Sequence, residues 1–565
     1  MKKNSFLEGT IIATLALVFT KILGMLYVIP FYAIIGSQGS SLYSYAYNIY
    51  LIFLSISSAG IPVAMSKIVS EYESLGLKEA KVRSFKLGIF IVSILSAVCF
   101  IFLMFFSENV ARLIVGDMTG GNSLEDITLV IFVVSFAVLI IPFLSVAKGY
   151  LQGHKYIKPS SVSQMIEQIV RILVIVCGSY FVIRILHKSV SIGVAVAVSG
   201  AFVGGLVAII YIARKIVTHK KELSLDQKLE RDNISNKEIL KKICSYAIPF
   251  VIINLTVNIY NTVDMSLIIR TLSNIGFSGA DSEYVAGVVT TWGYKLNMIV
   301  TAVATGLTVS LIPNIVAEHT KKNYKELNKI LNQALQIILF ISLPAAFGLS
   351  FLAEPVWNVF YGVNELGSSV FKLSIITAIF SNLYLISIQA AQGLNEYKTV
   401  YLAVIVGFLT NALLDVPLML LCNKIGIPAY YGASIATIIG FSIAVFIVLR
   451  KIKKYPDISY KETWIMLRDI LIALVIMLIV LYVMNLVVPF HFDNKFVSIL
   501  DICLYALVGG AIYIVLTYYM GIINKLFGKR MVNRVLKVIT FGKVQIKGDA
   551  DDSKKDWWKN IWKVC

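Results

Sequence analysis

Lys21, Arg171, Asp264, Lys295 and Asp415 stand inside long apolar runs of this sequence. A charge at the centre of a bilayer costs at least about 2.5 to 3.5 kcal/mol, so each of them calls for a partner or a task. Lys21 falls near mid-depth of its run and Lys295 in the outer half of another. Two such cations facing an interior cavity would replace the hydration of an anionic group with charge-assisted hydrogen bonds. The plainer alternative is that either lysine snorkels to an interface or pairs with a carboxylate. Arg171 follows Glu167 by four residues, the favourable helical order for an ion pair, so it reads first as structural and second as a cavity residue that contacts substrate. Asn411 precedes Asp415 by four residues and shares its helix face. Asp264, Asp415, an amide oxygen and a hydroxyl or carbonyl make a hard-cation cage. The same carboxylates could instead hold helices together by hydrogen bonds, or exchange protons.

The runs that carry these residues decide the fold class. Of 565 residues 58% are apolar and 15% charged, with a mean hydropathy of +0.80. That composition excludes a soluble protein and requires a helical bundle that satisfies its backbone within the bilayer. Apolar runs at 10–35, 42–66, 86–106, 127–151, 159–183, 190–213, 243–269, 285–313, 329–352, 370–391, 399–422, 430–449, 469–488 and 497–523 predict an all-α polytopic membrane protein of fourteen transmembrane helices. Roughly four in five of the 51 Lys and Arg residues fall in loops on one side, which places both termini in the cytoplasm. The net charge of +19 therefore records topology, and no nucleic-acid partner is expected. Lys67 reads as a basic anchor at the inner end of span 2, with the mouth of a cavity as the alternative; Lys372 begins span 10 and reaches to the surface.

Catalytic patterns are missing from the loops. The inner loop 214–242 has no phosphate-binding G-x-x-x-x-G-K-[ST] sequence, the five histidines are scattered, and no H-E-x-x-H occurs. The six cysteines include no C-x-x-C pair. An enzyme is not expected, nor a resident cofactor, apart from a hard cation in the cage.

The chain also repeats itself. Ile68-Val69-x-Glu71 with Lys78-Glu79 returns as Ile315-Val316-x-Glu318 with Lys325-Glu326, and Gln152-Gly153 with Lys158 returns as Gln392-Gly393 with Lys398. Both echoes lie about six spans apart, which predicts two six-helix lobes in parallel repeat plus two extra helices, a known transporter plan with the substrate path between lobes. The lobes would be residues 1–214 and 243–450, joined by a cytoplasmic linker at 215–242. Helices 13 and 14 follow in 451–524, then a basic tail at 525–565. In that tail Trp558, Ile561, Trp562 and Cys565 fall on one face at helical spacing, which predicts an interfacial helix.

Thr20-Lys21-Ile22-Leu23-Gly24, Gly60-Ile61-Pro62, Ile68-Val69-Ser70-Glu71-Tyr72 and the Gln-Gly turns resemble the MurJ and SpoVB type of lipid-linked oligosaccharide flippase. These belong to the multidrug/oligosaccharidyl-lipid/polysaccharide exporter superfamily, and the resemblance spans about residues 5–525. It implies alternating-access flipping of an undecaprenyl-pyrophosphate-linked sugar, most simply the peptidoglycan precursor lipid II, across a bacterial plasma membrane. The implied driving force is the membrane potential, a sodium gradient or both; implied partners are the lipid-linked oligosaccharide, membrane lipids and cell-wall synthesis proteins. Lys21 and Lys295 match family arginines of helices 1 and 8, while the family's basic residue in helix 2 has no match between Leu51 and Ser66. Asp264, Asn411 and Asp415 match a family sodium site, with Thr437 as its fourth member, and helices 13 and 14 match a groove for the polyprenyl tail. Two other readings compete: a cation-coupled multidrug exporter of the same superfamily, and a membrane-embedded enzyme acting on polyprenyl lipids.

Overall fold

The structure is a computed structural model that describes residues 6–58, 60–116, 121–223, 225, 232–491 and 494–528. The face formed by Trp558, Ile561, Trp562 and Cys565 lies outside the described residues. Among those residues, twelve helical segments are long and apolar enough to cross a membrane. The other two expected spans, 10–35 and 285–313, are helical as well. The protein is an all-α, multi-pass membrane protein.

The chain divides into two compact units, the first ending at Trp292 and the second beginning at Gly293. In the first, α1 (Phe6–Leu26) leads into α2 (Val28–Ser58), which breaks at Gly36, and α3 (Ile61–Ser74) follows. At Gly36 φ is 67° and ψ is −169°, a backbone shape that side chains oppose, so span 1 ends there as the sequence predicts. Next come α4 (Lys78–Val115), α5 (Leu124–Gly153) and α6 (Ile157–Leu173), the last continuing through π-helical turns to Ile185. Then α7 (Val190–Thr218), α8 (Asn236–Asn274) and α9 (Gly279–Gly287) complete the unit.

Small residues let these helices meet closely, as lipid-embedded bundles require in the absence of a hydrophobic drive between helices. A Cβ on Gly204 of α7 would stand 2.5 Å from the Glu167 carbonyl of α6, and one on Gly153 of α5 would stand 2.8 Å from the Ser66 carbonyl of α3. The Gln-Gly turn thus has a packing reason: Gly153 seats α5 on α3. Around that contact Met65, Ile68, Val69, Leu151 and Tyr150 form a closed apolar core.

The second unit holds α10 (Gly293–Thr320), α11 (Tyr324–Phe351), α12 (Ala353–Tyr361), α13 (Glu365–Ser374), α14 (Thr377–Gly393), α15 (Tyr397–Lys424) and α16 (Tyr430–Ile452). It ends with α17 (Lys461–Val487), α18 (Lys495–Tyr519) and α19 (Ile522–Phe527). Its packing order repeats that of the first: α4 on α5, α5 on α7 and α6 on α7 have counterparts in α11 on α14, α14 on α16 and α15 on α16. Asn382 of α14 ties this lattice, donating to the Val300 carbonyl at 3.2 Å and the Ser342 hydroxyl at 2.8 Å. The two extra helices lean on α11: Thr463 of α17 donates to the Asn332 side-chain oxygen at 2.5 Å, and Tyr513 of α18 donates to the Phe340 carbonyl at 2.9 Å.

At the basic end of this unit Glu396 accepts from the Tyr455 hydroxyl at 2.8 Å and pairs with Lys451 at 3.4 Å. Burial pushes the Glu396 carboxyl up, but the tyrosine hydroxyl and the ammonium outweigh it and hold the group below its ordinary value. A carboxyl depressed in the folded state contributes stability above its unfolded pKa, and that contribution is lost as pH falls through the folded one. Glu396→Gln is therefore expected to lower the thermal unfolding temperature at pH 7 and to flatten its decline under acid. Melting curves of the purified variant and parent at several pH values check this.

Candidate functional site

The charged residues predicted inside the bilayer fall on helices of both units. In the first, Lys21 is half-buried on α1, one turn before Gly24, whose Cβ position lies 3.5 Å from the Gln168 amide of α6. Asp264 is 4% exposed on α8 among Met265, Ile268 and Tyr260, all buried. Arg171 pairs with Glu167 at 2.8 Å, as their spacing predicts. Sequence reasoning missed the third member: Lys148 of α5 takes the other Glu167 oxygen at 2.8 Å. Nothing in the local sequence signals a partner so distant along the chain.

In the second unit Lys295 is buried near the start of α10. Asn411 and Asp415 are completely buried on α15. The stripe that carries them faces α16, because the Cβ position of Gly407, one turn earlier, lies 2.9 Å from the Gly440 carbonyl. Farther along the contact, the Cβ position of Gly432 on α16 lies 2.3 Å from the Met419 nitrogen. This antiparallel register sets Thr437 level with Asn411 and Ser434 level with Asp415. Ser434 is buried and belongs with the cage by position, although the sequence reading did not single it out. Thr437 donates to the Ala433 carbonyl at 3.0 Å, which leaves its oxygen able to accept or ligate. Carboxylate, amide and hydroxyl oxygens with no sulfur or imidazole among them suit a hard cation such as sodium. Among the described residues no group of three or more His, Cys, Asp or Glu side chains could hold a metal ion.

A wide, shallow depression of about 660 Å³ lies beside α3 at the end of the first unit that carries the basic loops. Val63, Ser66, Lys67, Ser70, Glu71, Ser74 and Gln152 line it. Lys67 lies 3.9 Å above the ring of Tyr246, and Lys242 of α8 pairs with Glu71 at 2.5 Å. Both lysines thus link α3 to the first turns of α8. Nearer the opposite end, Asn48 of α2 donates to the hydroxyls of Thr290 and Thr291 at 3.3 and 3.1 Å, and Trp292 donates to the Ser40 carbonyl at 3.0 Å. Glu283 accepts from the backbone and side-chain amides of Asn122 at 3.0 and 2.6 Å. None of these polar ties was visible in the sequence, because Ser, Thr and Asn within apolar runs are common and carry no spacing rule that names their partners.

Residues 6–305 match the family described as polysaccharide biosynthesis protein, and residues 249–417 match the MatE family. The lipid II flippase MurJ of Bacillus subtilis (strain 168) is 30% identical over 541 residues, covering 94% of this chain and 98% of that protein. Among solved structures, the lipid II flippase MurJ in an inward closed conformation aligns with a TM-score of 0.62 at 17% identity, over 90% of this chain and 98% of that one. A multidrug resistance MATE family transporter in its inward-facing conformation aligns with a TM-score of 0.61 at 16% identity, over 78% of this chain and 96% of that one.

The Lys242–Glu71 pair joins α8 to α3 beside the shallow depression, and breaking it should loosen both ends. In hydrogen-exchange mass spectrometry, Glu71→Gln is expected to speed exchange in residues 66–74 and 236–246 while leaving α5 unchanged. Uniform exchange across variant and parent would show that the pair restrains nothing.

Proposed function

Since the chain belongs to the polysaccharide biosynthesis protein family and is 30% identical to the lipid II flippase MurJ of Bacillus subtilis, we propose that it flips an undecaprenyl-pyrophosphate-linked sugar, most simply lipid II, from the inner to the outer leaflet of a bacterial plasma membrane. The observation that carries this reading is the full-length match to the Bacillus subtilis flippase, over 94% of this chain and 98% of that protein. The placement of cations supports it: Lys21 and Lys295 stand on α1 and α10, the helices of the expected spans 10–35 and 285–313, where a pyrophosphate leaving water needs compensating charge. Lysine supplies that charge as a point, without the two-pronged geometry of arginine. The basic-end depression with Lys67 and its serines offers hydroxyl and ammonium donors to a head group arriving from the cytoplasm. In this reading both termini are cytoplasmic, residues 1–214 and 243–450 act as alternating lobes, and α17 with α18 guides the polyprenyl tail. Cell-wall synthesis proteins would supply and consume the lipid.

Energy comes from the membrane. One elementary charge moved through 100 mV is worth about 2.3 kcal/mol, so an interior-negative potential favours export of an anionic head group and also entry of sodium. Asp264, Asn411, Asp415 and Thr437 are the residues assigned to that ion. The oxygen-only donor set around Asp415 supports the assignment, and the ion's charge would offset carboxylates that are otherwise costly to bury. A second reading, a cation-coupled drug exporter, draws on the MatE match and the shared fold. It would favour a cavity rich in carboxylates and aromatic rings over one lined with lysines.

Reconstitution in liposomes with fluorescent lipid II decides between the two. The flippase reading expects head-group transfer that rises with an inward sodium gradient, falls about tenfold or more in Lys21→Ala, and loses its sodium response in Asp415→Ala. Transport of cationic drugs with no lipid II transfer would establish the exporter instead.

A further inference from the structure

Glu167 of α6 is shared by two cations. Arg171 Nη2 takes one carboxylate oxygen and Lys148 Nζ the other, each at 2.8 Å, with the three side chains only 14–21% exposed. The cluster therefore carries one positive charge in excess. No other Asp or Glu occurs in the spans 42–66, 127–151, 159–183 and 190–213 that surround it, so neighbouring side chains do not cancel that excess. Within a membrane-spanning bundle an uncancelled charge is costly, and a small counter-ion is the economical remedy.

The structure provides a place for one. Arg171, Tyr43, Tyr47 and Tyr50 line a cavity of about 30 Å³ whose remaining walls are apolar side chains of α5, α6 and α7. That volume holds one water or one monatomic ion and is too small for a phosphate group. The Arg171 Nε–H is buried without a hydrogen-bond partner at this site, while Nη2 is already held by Glu167. A guanidinium edge with an unused donor, phenol hydroxyls around it and an apolar surround are the elements of a halide site. The neutral phenols can donate without adding charge of their own.

We propose that this cavity binds a single small monovalent anion, chloride in a cell, with Arg171 as its charged ligand and the Tyr50 hydroxyl as its neutral donor. The anion brings the Lys148–Glu167–Arg171 cluster to neutrality and joins α2, which carries the tyrosines, to α6. It is a structural counter-ion, separate from any transported head group, and the inference does not depend on what the protein carries.

The test uses the purified full chain exchanged into sodium gluconate and titrated with sodium chloride at constant ionic strength. Radiolabelled chloride in equilibrium dialysis and thermal unfolding are the two readouts. The parent should show one saturable chloride site and a melting temperature that rises with its occupancy. Arg171→Leu and Lys148→Met each leave a one-to-one ion pair with Glu167, so each should lose about tenfold or more in chloride affinity together with the chloride-dependent rise. Tyr50→Phe should weaken binding while keeping the cluster intact. If Arg171→Leu fails to fold, Lys148→Met carries the same comparison. A parent that melts alike in gluconate and chloride and binds no label would show a water-filled cavity and overturn the proposal. So would chloride binding that both charge variants retain.

Discussion

The cost of an uncompensated charge in a bilayer governs this molecule. Every ionisable group that the apolar helices carry into the membrane must be paired, neutralised or set against a cavity. The first unit meets this demand with a shared carboxylate at Glu167, and the close approach of Gly204 to the Glu167 carbonyl brings α7 against the cluster. In the second, Asp415 lies buried with Asn411 where α15 meets α16, the place where a cation would offset it. Where the charge lies at a helix end instead, as for Lys242 and Glu71 or Lys451 and Glu396, water is near and the pairs serve to fasten helix termini.

A second constraint follows from the solvent being lipid. Apolar contact alone gives helices little reason to associate there, so small residues and interhelical hydrogen bonds carry specificity. Asn382 bonded to both α10 and α11, and Asn48 bonded to Thr290 and Thr291, are such ties. They fix neighbours and register while the apolar surface outside them faces lipid. The same devices hold α17 and the end of α18 against α11, through Asn332 with Thr463 and through Tyr513.

Much of this was legible in the sequence because it depends on local periodicity and composition. Run lengths placed the helices, and Gly36 stood at the break that the end of span 1 anticipates. The Glu167–Arg171 pair followed from four-residue spacing, and the echoed Gln-Gly turns pointed to a duplication that the repeated helix packing displays. What stayed hidden is long-range. Lys148 reaches Glu167 across a helix turnaround, Asn122 reaches Glu283 from a distant loop, and Ser434 enters the cage region only through the register of α15 on α16. Such pairings come from tertiary packing, for which a single sequence offers composition but no partner.

The central claim is that the membrane-embedded cations exist to accept a pyrophosphate-linked lipid. Native mass spectrometry of the protein extracted from a bacterial membrane tests it directly by weighing what remains bound. The account predicts a bound species with the mass of an undecaprenyl-pyrophosphate-linked glycan, depleted when Lys21 and Lys295 are both changed to alanine. Ordinary phospholipids alone, bound equally by parent and double variant, would contradict it.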